Sequence, residues 1–155
     1  HGHFDHIMGN AFVAGRWSLS TMIHSEDKPH LERAKQYSDM FGYKIEQPPL
    51  NTIELNDGDE IRFGESLLKV IHTPGHTRGG VSFYSEEDKF VITGDALFAG
   101  SIGRTDLPGG DYDQLMESLL NKIIKLGEDY TVYPGHGPVT TIEKEIATNP
   151  FLRYE

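Results

Sequence analysis

His1-Gly2-His3-Phe4-Asp5-His6 places three imidazoles and a carboxylate within the first six residues of the chain. Neutral imidazole nitrogen and carboxylate oxygen are the donors that zinc and its transition-metal neighbours prefer. The i, i+2 spacing sets the His1 and His3 rings on one side of an extended segment. A turn after His3 lets Asp5 and His6 address a second position nearby. A tag remnant would be a plain histidine run. Here Gly, Phe and Asp interleave the histidines, and an apolar helical pattern follows.

Outward from that motif, Ile7 to Ala14 carries apolar residues at helical spacing, with Asp5 placed to cap the helix and Gly15 to stop it. Ser20 to His24 reads as a short strand. Pro29 opens a helix that runs through Met40, apolar at Leu31, Ala34, Tyr37 and Met40. His24 and His30 fall outside the motif and read as ordinary histidines. From Thr52 the pattern changes to β. Ile53 and Leu55, Ile61 to Phe63, Leu67 to Thr73, Val81 to Tyr84, Phe90 to Thr93 and Tyr130 to Tyr133 all read as strands. Leu97 to Gly110 is too rich in glycine for regular structure. Asp111 caps a helix through Leu126 that Gly127 ends, and a last helix spans about Thr141 to Ala147.

Three of the strands run into loops that each carry one metal-competent side chain, His76, Asp95 and His136, flanked by Gly or Pro. With the opening motif this makes five histidines and two carboxylates. Seven donors exceed what one tetrahedral ion uses, and they fit two ions that share a bridging carboxylate and a water or hydroxide.

Composition sets the bounds. At 155 residues the chain fits a single domain, 1–155, large enough for a buried core. Cysteine is absent, which excludes disulfides, thiolate nucleophiles and thiolate zinc sites. The formal charge of −10 argues against nucleic acid or an anionic membrane as a partner. No apolar run reaches the length of a membrane span. Nothing resembles a targeting signal, so the expected location is the cytoplasm.

H-G-H-F-D-H, followed in order by T-P-G-H-T, T-G-D-A-L-F and P-G-H-G, resembles the metallo-β-lactamase superfamily over essentially the whole chain. Gly100 to Asp106 and the Asn149-Pro150-Phe151 tail resemble its short bacterial hydroxyacylglutathione hydrolase (glyoxalase II)-like branch. The resemblance implies an α+β fold, a four-layer αββα sandwich whose first strands would precede His1, so the chain is expected to be a piece of a longer one. It implies His1, His3 and His76 on one metal, Asp5, His6 and His136 on the other, and Asp95 bridging. The cofactors implied are two divalent ions, zinc first, with iron or manganese accepted by the same ligands. Asp5 and Asp95 would be catalytic and Arg104 would contact a substrate carboxylate, unless it pairs with Asp106 or Asp111 instead. His72 is read as structural or as a support behind the ligands.

The implied reaction is hydrolysis of a small-molecule thioester such as S-D-lactoylglutathione by a metal-bound hydroxide. A thiolate leaves readily, so no strong general acid is required, and no G-x-S-x-G nucleophile motif is present. The longer enzymes of this branch hold glutathione with a C-terminal helical region, which this sequence does not contain. Two alternatives share the fold: a mononuclear iron persulfide dioxygenase, and a non-catalytic metal or redox module. A lactamase is a further, poorly supported alternative, since nothing in the Leu97–Gly110 stretch suggests a β-lactam pocket. Oligomeric state is not legible in these residues.

Overall fold

Alternation of β runs with amphipathic helical stretches places most of the elements where the sequence puts them. In the computed structural model, which describes residues 1–153, the chain divides into two compact units, 1–55 and 56–155. Tyr154 and Glu155, the end of the expected 1–155 domain, lie outside the described residues.

The first unit is mostly helical. It contains α1 (Phe4–Ile7), α2 (Asn10–Trp17), β1 (Thr21–Ile23), α3 (Lys28–Glu32), α4 (Ala34–Met40) and β2 (Thr52–Glu54), with a 3₁₀ turn at Ser25–Asp27. Strands β1 and β2 pair in parallel, Thr21 opposite Thr52. Ile7, Ile23, Leu31 and Ala34 form its core, with Ile45 packed against them. The opening helix differs from expectation. It breaks at Met8-Gly9, Gly15 lies inside α2, and Ser18 ends α2 in the left-handed region at φ 54°. His3, not Asp5, is the N-cap of α1, and Asp5 sits in its first turn, where a carboxylate favours the positive end of the helix dipole. The helix expected from Pro29 to Met40 is also interrupted, at Arg33, whose φ of −100° and ψ of 7° leave the helical region.

The second unit is built on a six-stranded sheet of order β10-β9-β6-β5-β4-β3. Its strands are β3 (Glu60–Phe63), β4 (Ser66–His72), β5 (Val81–Ser85), β6 (Phe90–Gly94), β9 (Thr131–Pro134) and β10 (Thr140–Thr141). A hairpin of β7 (Leu97–Phe98) and β8 (Ser101–Ile102) occupies the stretch expected to be irregular. Its strands have two residues each, too short to leave a period-2 pattern. Helix α5 (Tyr112–Ser118) continues through a π turn, Leu119–Ile123, and a 3₁₀ turn, Ile124–Leu126, and Gly127 ends it at φ 131°. Helix α6 (Ile142–Thr148) follows β10.

Leu115, Leu119 and Ile123 recur every four residues, are fully buried, and pack with Val91, Val132 and Ile142 in one core. Each such side chain contributes roughly 1.5–3 kcal/mol by leaving water. The Asp111 carboxylate accepts the Gln114 amide at 2.9 Å, so the expected cap is present.

β5 runs antiparallel to both β4 and β6, and β9 runs parallel to β6. β4, β6 and β9 therefore point the same way, and their C-terminal ends lie along one edge of the sheet.

Candidate functional site

In the first unit the opening motif folds as its spacing requires. His3 is extended, with φ −66° and ψ 146°, and the chain then turns into α1. His1 Nε2 lies 3.1 Å from His3 Nδ1. The His6 ring centroid is 4.1 Å from that of His1, and Asp5 Oδ2 is 3.4 Å from His6 Nε2. All four predicted donors of this segment are thus gathered in one cluster.

Two residues that the sequence reading passed over support it. The Gly2 amide donates to the Asp27 carboxylate at 2.7 Å, and Asp27 is fully buried. The His30 ring stands edge-on to His3 with centroids 5.0 Å apart. A Cβ on Gly2 would come within 2.8 Å of His30 Cβ and 2.9 Å of the Asp27 carbonyl, so only glycine fits between the two histidines. His30, read as ordinary, is in fact packed on the motif. Neither residue carries a local signal, because Asp27 lies in a polar run and meets Gly2 across 25 residues.

In the second unit the shared strand direction brings His76, Asp95 and His136 to the same sheet edge. The Gly135 amide donates to the Gly94 carbonyl at 2.8 Å, which ties the His136 loop to the end of β6. Asp95 Oδ2 is 3.6 Å from His76 Nε2 and 3.5 Å from His136 Nε2. His76 Nδ1 is 2.8 Å from the Arg104 carbonyl. A carbonyl only accepts, so Nδ1 carries a proton, and Nε2 is the ring nitrogen that faces Asp95. His76 is buried and Asp95 nearly so, whereas the His136 ring is 58% exposed.

The loop that carries His76 is pinned to the helix beneath it. Ser118 Oγ donates to the Pro74 carbonyl at 2.8 Å, Asp111 N to the Gly75 carbonyl at 2.8 Å, and Lys122 Nζ to the His72 carbonyl at 2.6 Å. The His72 ring lies 2.8 Å from the Arg78 carbonyl, in keeping with a structural role.

Arg104 is placed with two functions at once. Its carbonyl holds His76, while its guanidinium makes a two-pronged contact with Asp106, at 2.7 Å from both Nε and Nη2. The pair is exposed. Hydrogen bonds from Arg104, and then a backbone hydrogen bond, hold the Asp106 carboxyl down at about 2.

Metal chemistry suits both clusters. Imidazole nitrogens with carboxylate oxygens and no thiolate are the donor set of a borderline cation. The 3.5–3.6 Å separations around Asp95 Oδ2 are too long for good hydrogen bonds. They are close to the roughly 3.4 Å between neighbouring ligand atoms of a tetrahedral cation with 2.0–2.2 Å bonds.

The metallo-beta-lactamase superfamily model matches residues 1–136. Hydroxyacylglutathione hydrolase GloC of Haemophilus influenzae is 35% identical over 154 residues, 98% of this chain and 73% of that protein. Among solved structures, TTHA1623 in a di-iron-bound form is 41% identical with a TM-score of 0.91, over 98% of this chain and 74% of that one. BLEG-1 B3 metallo-beta-lactamase is 40% identical with a TM-score of 0.87, over the same shares. With the ordered histidine and aspartate motifs, the α+β fold and the two donor clusters all in agreement, the chain belongs to the metallo-beta-lactamase superfamily of metal-dependent enzymes.

Proposed function

We propose that the chain is a dinuclear metal-dependent hydrolase whose substrate is a small thioester of the S-D-lactoylglutathione type. The observation that carries this reading is the division of the donors into two sets, His1, His3, Asp5 and His6 in one and His76, Asp95 and His136 in the other. Seven donors are enough for two ions, and Asp95, flanked by two Nε2 atoms on one oxygen, is the side chain suited to bridging. Zinc is the first choice. Iron is supported by the di-iron form of TTHA1623, and manganese fits the same ligands. When bound, the ions supply Lewis acidity and lower the pKa of water toward neutrality.

The chain's own residues do the remaining work. Asp5 accepts a hydrogen bond from the attacking water and orients it. The Arg104 carbonyl fixes the tautomer of His76 through Nδ1. The Arg104 guanidinium receives the substrate's carboxylate, which must share it with Asp106. A thiolate departs without an added proton, so this inventory is sufficient for a thioester, whereas an amide nitrogen would need a proton donor in addition.

A lactam substrate is the competing reading, favoured by the likeness to BLEG-1. Parallel assays with S-D-lactoylglutathione and a chromogenic β-lactam separate the two. The expected result is thiol release that falls at least about 100-fold in Asp95→Ala, together with loss of metal. Lactam turnover without thioester turnover would overturn the substrate assignment. Full metal and full turnover in Asp95→Ala would overturn the dinuclear one.

A further inference from the structure

Glu145 is fully buried, yet it belongs to neither donor cluster of the proposed centre. Its carboxylate accepts three hydrogen bonds. Oε1 accepts from Thr140 Oγ1 at 2.6 Å, and Oε2 accepts from the Gly100 amide at 2.8 Å and from Asn149 Nδ2 at 2.8 Å. Asn149, also fully buried, turns its Nδ2 to the Ser101 carbonyl as well, at 3.1 Å. One turn of α6 therefore grips Gly100 in the turn of the β7–β8 hairpin and Ser101, the first residue of β8.

That hairpin joins Asp95 to the carbonyl that holds His76. It begins directly after Asp95-Ala96 and ends at Gly103-Arg104, and the Gly103 amide donates back to the Ala96 carbonyl at 3.1 Å. A Cβ on Gly103 would lie 1.9 Å from the Asp95 carbonyl and 3.2 Å from His76 Cβ, so the returning strand is pressed against both. The next carbonyl, that of Arg104, is the one that holds His76 Nδ1. If the hairpin moves, the Arg104 carbonyl moves with it, and His76 loses the contact that fixes its tautomer.

We propose that Glu145, with Asn149, is a positioning residue that acts through the β7–β8 hairpin to set the His76 imidazole relative to Asp95. The consequence for metal retention rests on the dinuclear reading above, but the consequence for His76 itself does not. A role confined to stability would be spread over all three hydrogen bonds. The positioning role belongs to the bonds to Gly100 and Ser101 and not to the one from Thr140. The isosteric Gln also keeps the grip. Its oxygen can accept from Gly100 and Asn149, and its amide can donate to the Thr140 hydroxyl, which accepts equally well.

The test compares Glu145→Ala, Glu145→Gln and Thr140→Val in the full chain with two readouts. One is the hydrogen-bonded Nδ1 proton of His76 in metal-free protein, observed by NMR and assigned by its loss in His76→Gln. The other is the rate of metal loss to a chromophoric chelator. Glu145→Ala should lose the Nδ1 resonance and release metal about 10–100 times faster. Glu145→Gln and Thr140→Val should keep the resonance and release metal at the wild-type rate, although Thr140→Val lowers the melting temperature. Should Glu145→Ala not fold, Asn149→Ala removes the Ser101 bond and carries the same expectation. A retained Nδ1 resonance in the Ala variant, or equal effects in Glu145→Ala and Thr140→Val, would overturn the proposal. Wild-type protein that shows the resonance but binds no metal would count against the dinuclear reading alone.

Discussion

Arg104 has two partners, His76 through its carbonyl and Asp106 through its guanidinium. Its guanidinium already holds Asp106 through two short hydrogen bonds, and a substrate carboxylate would enter that arrangement as a second anion. The pair is solvent-exposed, so it adds little to stability. Its electrostatic mark is nevertheless measurable. The Asp106 carboxyl is held at about 2, and a depressed pKa favours the folded state above the ordinary carboxylate range, with the benefit lost as pH falls toward 2. A carboxyl NMR titration should therefore find the Asp106 midpoint near 2, and Arg104→Ala should raise it toward the ordinary carboxylate range, short of a full return because the backbone hydrogen bond remains. An unchanged midpoint in the variant would mean that Arg104 is not the cause. For catalysis, the same substitution should raise KM more than it lowers kcat. An unaltered KM would assign the guanidinium to Asp106 alone.

At the scale of elements, the sheet edge was legible because hydrophobic runs that end in T-P-G-H, T-G-D and P-G-H-G can be read locally as strands with donors at their ends. The ligand motif was legible for the same reason, since its chemistry is contiguous. What the sequence concealed is non-local. The β7–β8 hairpin is too short to set up a period. Glu145 sits in a helical pattern where a carboxylate reads as solvent-facing until Gly100, 45 residues away, is seen to donate to it. The π turn at Leu119–Ile123 likewise leaves no mark in propensity, whereas the break at Met8-Gly9 falls on a glycine, a local signal the helical spacing masked.

The loop before His76 gives the clearest element-level prediction. Gly75 has φ 131°, and a Cβ there would fall 2.3 Å from the Leu115 backbone. Gly58 also has positive φ, 83°, but has nothing within 4 Å of such a Cβ. Gly75→Ala combines backbone strain with a clash and should cost at least about 3 kcal/mol, while Gly58→Ala should cost only about 1 kcal/mol. Urea denaturation of the two variants measures the difference. Equal losses would mean that the close approach of Gly75 to α5 is not what holds the loop.

For the whole molecule, two separate cores, one around Ile7, Ile23 and Leu31 and one around Leu115, Leu119 and Ile123, each support part of the proposed ligand set. No helix of the described residues is long and apolar enough to cross a membrane. The net charge of −10 remains acidic even after two divalent ions are added, so anionic substrates gain attraction only near the centre itself. The central claim is the dinuclear centre, and it is tested most directly by elemental analysis of protein purified without chelator. The account predicts two metal ions per chain, falling together when Asp95 is replaced by alanine. One iron per chain, with oxygen uptake on a persulfide substrate, would contradict it and point to a mononuclear dioxygenase instead.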